Sequence, residues 1–159
     1  MKRRSLLLLA LIFGIQLTIQ GQTLAIKNPQ LSNKINYLTE KYQDHHNRKT
    51  EILRAHGMES KQMKDNETLV KEAFDLNYKT AKKIIDEHGF PGYGLVGEES
   101  SRKFWEMVLR FNHDVLFQTK VLRLMERAVH KNDASMKDFA YLADRVLLNS
   151  GKEQYYGTQ

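Results

Sequence analysis

Between Gly89 and Glu99 the chain reads Gly-Phe-Pro-Gly-Tyr-Gly-Leu-Val-Gly-Glu-Glu, with helical patterns on either side. Four of the nine glycines and one of the two prolines fall within this stretch. Glycine permits positive φ and close approach of backbone to backbone or ligand, and Pro91 prevents a helix ended at Gly89 from resuming. The stretch therefore reads as a Gly/Pro-rich central loop dividing the chain into two helical halves.

Apolar residues on both sides recur at helical spacing. Leu31, Ile35, Leu38 and Tyr42 begin a first stripe, which Ile52 and Leu53 resume before Gly57 stops it. Between them lies a polar patch, Gln43 to Arg48, that turns all the way round the helix. Gln22 to Gln30 reads as an extended lead-in, since Pro29 disfavours helix at Asn28. Gly57 to Asn66 reads as a polar connector, with Asp65 or Asn66 capping a second helix. That helix buries Val70, Ala73, Phe74, Ala81, Ile84 and Ile85, but Asn77 sits on the same stripe. A buried Asn must find partners for its amide or cost about 1–3 kcal/mol, so it signals a polar network or a pocket wall.

Glu98 and Glu99 suit the first turn of a third helix, where the macrodipole favours acidic groups. Phe104, Trp105, Val108 and Leu109 form its buried face. Asn112 or Asp114 caps a fourth helix burying Phe117, Val121, Leu124, Met125 and Ala128. Ser135-x-x-Asp138 resembles a capping box and opens a fifth, with Phe139, Leu142, Ala143, Val146 and Leu147 inward and Gly151 at its end. No segment alternates with the period of a half-buried strand. The expected fold is all-α, a single compact domain of about five helices over residues 22–159.

Residues 1–21 are set apart from that domain. Lys2-Arg3-Arg4 precedes an apolar run from Leu6 to Ile15, too short for a stable membrane span, and a polar stretch follows. This is the layout of a signal peptide, so the expected location is exported, periplasmic or secreted. Membrane contact is expected only through this leader before cleavage. Its three basic residues also inflate the net charge of +6, because positions 1–21 hold no acidic residue. Without them 22 basic residues face 19 acidic ones, a net +3. That is a mixed surface, and nucleic acid is not an expected partner. The absence of cysteine excludes disulfides, thiol nucleophiles and Cys-based metal sites.

Gly92-x-Gly94-x-x-Gly97 matches the dinucleotide-binding spacing in letters, yet a helix precedes it where that motif needs a strand. Six histidines without an HExxH pattern give no metal site, and neither metal nor cofactor is expected. His45 and His46 point about 100° apart on a helix. Asp44 and Arg48 have the i,i+4 spacing of a surface ion pair. His113-Asp114 could join a base to an orienting carboxylate, or Asp114 could simply cap a helix. Tyr155-Tyr156 could stack on a ring or pack the chain end down.

Taken in order, Asp44-x-x-x-Arg48, Asn77, Gly89-Phe90-Pro91-Gly92, Val96-Gly97-Glu98, Trp105, Gln118, Leu142-x-Asp144-Arg145 and Gly151-x-x-Gln154-x-Tyr156-Gly157-Thr158-Gln159 resemble a bacterial family, the domain-of-unknown-function family 6624. The match runs over about residues 40–159. The chain departs from the family pattern at Leu109-Arg110, where Gln-His is common, and at His45, where Gln is usual. The resemblance implies a helical domain with a cluster of polar side chains, and carries no established activity.

Two functional readings follow. In the first, helical packing gathers Asp44, Arg48, Asn77, Gln118, Asp144, Arg145, Gln154 and Tyr156 into a pocket for a small ligand or substrate. Asp44, His113 and Asp144 are then the catalytic candidates if the protein is an enzyme, which the sequence does not decide. In the second, the polar set is a stabilising network in a structural or partner-binding domain. The readings part at Asp144→Asn, which should cost binding under the first and folding under the second.

Overall fold

A computed structural model describes residues 25–159, so the leader assigned to residues 1–21 lies outside the described residues. Six helices gather in one compact region: α1 (Pro29–His56), α2 (Lys61–His88), α3 (Tyr93–Val96), α4 (Glu98–Leu109), α5 (Val115–Val129) and α6 (Met136–Asn149). The expected count was about five. The additional element is α3, a short helix formed between Gly92 and Gly97 in the stretch read as loop.

α1, α2, α5 and α6 each start on a side chain that accepts a backbone N–H, whereas α4 starts at Gly97 without one. Asn28 takes Leu31 N at 3.0 Å, and Pro29 occupies the first helical position, where its missing N–H costs nothing. α1 then runs through the polar patch without a break and stops at Gly57, whose φ of +82° suits glycine. α2 begins earlier than Asp65 or Asn66. Ser60 caps it by accepting from Met63 N at 3.1 Å, and Met63 is fully buried. Asn66 is no cap: it is buried and donates its amide to the His45 carbonyl at 3.0 Å, joining α2 to α1. Composition misled here because the 57–66 segment is polar, yet one buried methionine and one serine are enough to start a helix.

α1 and α2 pack as an antiparallel hairpin, and α4 lies against both. A buried polar seam joins α1 to α4, where Ser100 Oγ meets Ser32 Oγ at 2.7 Å and Asn36 Oδ1 at 2.9 Å. The apolar core is one cluster that includes Ile35, Ala81, Phe104, Val108, Phe111, Val121 and Leu142. Of the two caps expected for the fourth helix, Asp114 is the one used. Its Oδ1 accepts from Phe117 N at 2.9 Å, and its Oδ2 accepts from the Tyr78 hydroxyl at 2.6 Å and from Lys82 Nζ at 3.3 Å. One carboxylate thus starts α5 and ties it to α2. The Tyr78 hydroxyl is the first of the donors that hold its pKa below the ordinary carboxylate range.

The segment before α4 is stitched to two distant parts of the chain. Tyr93 N donates to the Asp133 carbonyl at 2.9 Å, and Gly94 N donates to Asp133 Oδ1 at 2.7 Å. From the other side, Lys27 N and Asn28 N donate to the Gly94 and Leu95 carbonyls. Gly92 permits this approach. A Cβ there would stand 2.1 Å from Asp133 Oδ2 and 2.6 Å from its carbonyl oxygen, whereas one on Gly94 would meet Asp133 no closer than 3.4 Å. Gly92→Ala should therefore cost at least about 2 kcal/mol through backbone displacement, and Gly94→Ala well under half of that. Urea unfolding of the two variants checks the ordering.

Candidate functional site

Asp144 lies on α6 with no exposed surface. A buried carboxylate needs its lone pairs filled, and here the C-terminal tail fills them. Oδ1 accepts from Tyr155 N and Tyr156 N, both at 2.8 Å. Oδ2 accepts from Thr158 N at 2.8 Å and from the Thr158 hydroxyl at 2.9 Å. Burial pushes its pKa up, but the N–H groups of Tyr156 and Thr158, the Thr158 hydroxyl and Tyr155 N–H outweigh burial and hold it at about 2. The tail can wrap this way because Gly151 and Gly157 take positive φ, near +70°.

Gln154 and Tyr156 belong to the same constellation. Gln154 Oε1 accepts from Gln159 N at 2.8 Å, and Gln159 Nε2 reaches back to the Tyr141 carbonyl at 3.2 Å. The Tyr156 ring packs edge-on against Phe139. Arg145, the next residue along α6, has a buried Nε with no hydrogen-bond partner among the described residues.

The other expected residues sit elsewhere. Gln118 is fully buried on α5. Its Nε2 donates to the Val108 carbonyl at 3.0 Å, near the end of α4, and its Oε1 accepts from Asn149 Nδ2 at 2.9 Å. It ties together the ends of α4 and α6. Asn77 is buried on α2, with Oδ1 unpartnered among the described residues. Asp44 and Arg48 pair with each other at 3.0 Å on the exposed surface of α1, and both side chains are more than half exposed. His113 is exposed, with its ring 4.7 Å from that of Tyr78. Both Asp114 oxygens already serve other donors, so Asp114 does not orient it. The structure thus brings Asp144, Gln154 and Tyr156 together, and bonds neither Asp44 nor Arg48 to any of them.

A polar cleft of about 360 Å³ opens between the N-terminal ends of α4 and α6, and none of the eight residues expected to form a pocket lines it. α3 contributes Tyr93, and α4 contributes Glu98, Arg102 and Trp105. Ser135, Lys137, Asp138 and Tyr141 come from α6 and its cap. Trp105 and Tyr141 stand edge to face, 6.3 Å between centroids at 87°. Trp105 is only 9% exposed, and its Nε1 is a buried donor without a partner among the described residues. Burial, followed by the nearby carboxylates of Glu98 and Asp138, pushes the Tyr93 hydroxyl up, so at neutral pH it is a neutral donor. A groove of similar size between α1 and α4 shares Arg102 with this cleft, and its cations are engaged by carboxylates. There Lys103 holds Glu40 and Glu99, and Arg102 holds Glu106. Among the described residues no group of three or more His, Asp or Glu is placed to hold a metal ion.

The cleft is not legible in the sequence because each of its residues has a plain local role. Trp105 continues an apolar face, Glu98 suits a first turn, and Ser135 caps α6 by accepting from Asp138 N at 3.1 Å. Their spacing does place Glu98, Arg102 and Trp105 along one side of a helix. The partner face on α6, however, is set only by packing.

Among known proteins, DUF6624, a family of unknown function, matches residues 29–159. No curated protein and no solved structure matches the chain.

Asp144 has its pKa lowered from 3.8 to about 2, so its contribution to stability is complete above the higher value and is lost as pH falls through the lower one. Asp144→Asn should remove that acid dependence. It should also lower hydrogen-exchange protection of the Tyr155, Tyr156 and Thr158 amides at least about tenfold, since an amide NH2 cannot accept from the Thr158 donors. Unfolding measured against pH, with amide exchange by NMR, checks both. Gln118→Leu should cost about 1–3 kcal/mol by removing two buried hydrogen bonds, although the Val108 carbonyl keeps Phe111 N and Asn149 Nδ2 keeps Asn112 Oδ1. Asp44→Asn should cost no more than about 0.5 kcal/mol in the same denaturation assay, as exposed i,i+4 pairs do.

Proposed function

The chain belongs to DUF6624, a family of unknown function, and on that premise we propose that it is an exported helical protein binding a small polar ligand in the cleft between α4 and α6. The observation that carries this reading is Trp105, which lines the cleft and whose Nε1 is a buried donor that no described residue satisfies. Leaving such a group unpaired costs about 1–3 kcal/mol, and a ligand acceptor would recover it. Two carboxylates, Glu98 and Asp138, stand in the cleft with two cations, Arg102 and Lys137, so the lining is close to neutral overall. Together with the Trp105 and Tyr141 rings, it suits a neutral or zwitterionic molecule rich in hydroxyl or amide groups. A strong anion or a metal ion fits it less well.

In this reading the protein binds, and Asp144 holds the tail without reacting. A carboxylate with every acceptor position filled and a pKa of about 2 is a poor general base. The same bonds favour the stabilising-network reading for that part of the polar set, alongside ligand binding in the cleft.

Trp105 is the only tryptophan, so its fluorescence reports the cleft alone. Titration with neutral saccharides, amino acids, cell-wall fragments and short peptides should shift its emission for one class. Asp138→Asn or Lys137→Ala should then weaken that ligand about tenfold, as the loss of one charged hydrogen-bonding group does. Unchanged emission across all four classes would sink the reading.

A further inference from the structure

The outer face of α5 carries a stripe that the core leaves free. Leu116, Lys120, Arg123 and Arg127 follow one another at spacings of four, three and four residues and so share one side of the helix. Lys131 continues the line just past the helix end. Leu116 is 85% exposed, more than any other large apolar side chain among the described residues. Lys120 reaches Asp86 at 2.7 Å, whereas Arg123, Arg127 and Lys131 make no ion pair among the described residues. Leu116, Lys120, Arg123 and Arg127 also line one groove together with Thr119 and Leu124. Glu126 is the one acidic residue on α5, and it lies to the side of the stripe.

We propose that this face docks on an anionic lipid bilayer, with Leu116 entering among the acyl chains and Lys120, Arg123, Arg127 and Lys131 lying along the headgroup phosphates. The charge complementarity is direct. Each cation close to an anionic leaflet strengthens binding, and a leucine beside them adds apolar insertion. The stripe is straight and spans about 17 Å from Leu116 to Arg127, which suits a flat surface. The leucine favours lipid over nucleic acid, because a polyanion gives it nothing to enter and the stripe has no aromatic ring on which bases could stack. No helix among the described residues is long and apolar enough to cross a membrane, so the contact is peripheral. It is separate from the passing contact expected of the leader, and independent of the α4–α6 cleft.

The chain contains no cysteine, so a single one can be introduced and labelled at a chosen place in the full-length protein. An environment-sensitive fluorophore goes on Leu116→Cys and, as a reference, on Leu148→Cys, at an exposed position of α6. This design separates docking by α5 from anchoring by the apolar leader, which would not distinguish the two labels. With phosphatidylglycerol-containing vesicles the label at position 116 should shift to the blue, and the one at 148 should not. Pure phosphatidylcholine vesicles should leave both unchanged. Adding Arg123→Gln and Arg127→Gln should raise the lipid concentration needed roughly 25-fold, at about fivefold per cation. Both side chains are exposed, and circular dichroism checks that the fold is kept. Any of four results would overturn the proposal: no shift at 116, an equal shift at 148, indifference to the two arginine changes, or binding to a soluble polyanion or a protein in preference to vesicles.

Discussion

Asp133 joins the two ends of the fold through a few hydrogen bonds packed against a glycine. Its carbonyl and carboxylate receive Tyr93 N and Gly94 N, while the next carbonyls along that segment receive the backbone N–H groups just before α1. The start of α1, the short α3 and the turn between α5 and α6 are therefore held at one point. Because α4 begins four residues after Gly94, and α6 three residues after Asp133, their N-terminal ends are set side by side. The cleft lined by Tyr93, Trp105 and Tyr141 is a consequence of that junction.

A cysteine-free helical domain must find its rigidity elsewhere, and here buried polar groups supply part of it. Ser100 bridges α4 to α1, Gln118 joins the ends of α4 and α6, and Asp144 gathers the tail. Each is a group that would be costly if unpaired, so each penalises alternative packings more than an apolar contact would. Asp144 is the strongest case, with three backbone N–H groups and a hydroxyl on one carboxylate. The Tyr-Gly-Thr segment is shaped to supply them, Gly157 at positive φ turning the chain between the donors of Tyr156 and Thr158.

The atoms left without partners contrast with these. Trp105 Nε1, Asn77 Oδ1, Arg145 Nε and His45 Nδ1 are buried with no partner among the described residues. Of the four, Trp105 Nε1 belongs to a residue lining an open polar cleft whose formal charges balance, and for that reason it carries the functional reading.

Sequence by itself determined the helical class, most helix ends and the buried stripes. Those follow from local rules: a 3.6-residue period, an oxygen-bearing side chain before a first turn, and glycine after a last one. Asp114, Ser135 and Gly57 act as those rules require. The early start of α2 is not legible in the sequence because Ser60 and Met63 are weak signals inside a polar run. Asn77 breaks an apolar stripe, and it is buried. What surrounds it was not legible, since a stripe shows which face is inward and nothing of what lies opposite. Tertiary structure alone decided the rest. It placed Asp144 under the tail, left Asp44 and Arg48 on the surface, and brought Trp105 to Tyr141 across two helices. Those are distances between elements far apart in the chain, and they are set by how whole faces pack, which no residue's nearest neighbours encode.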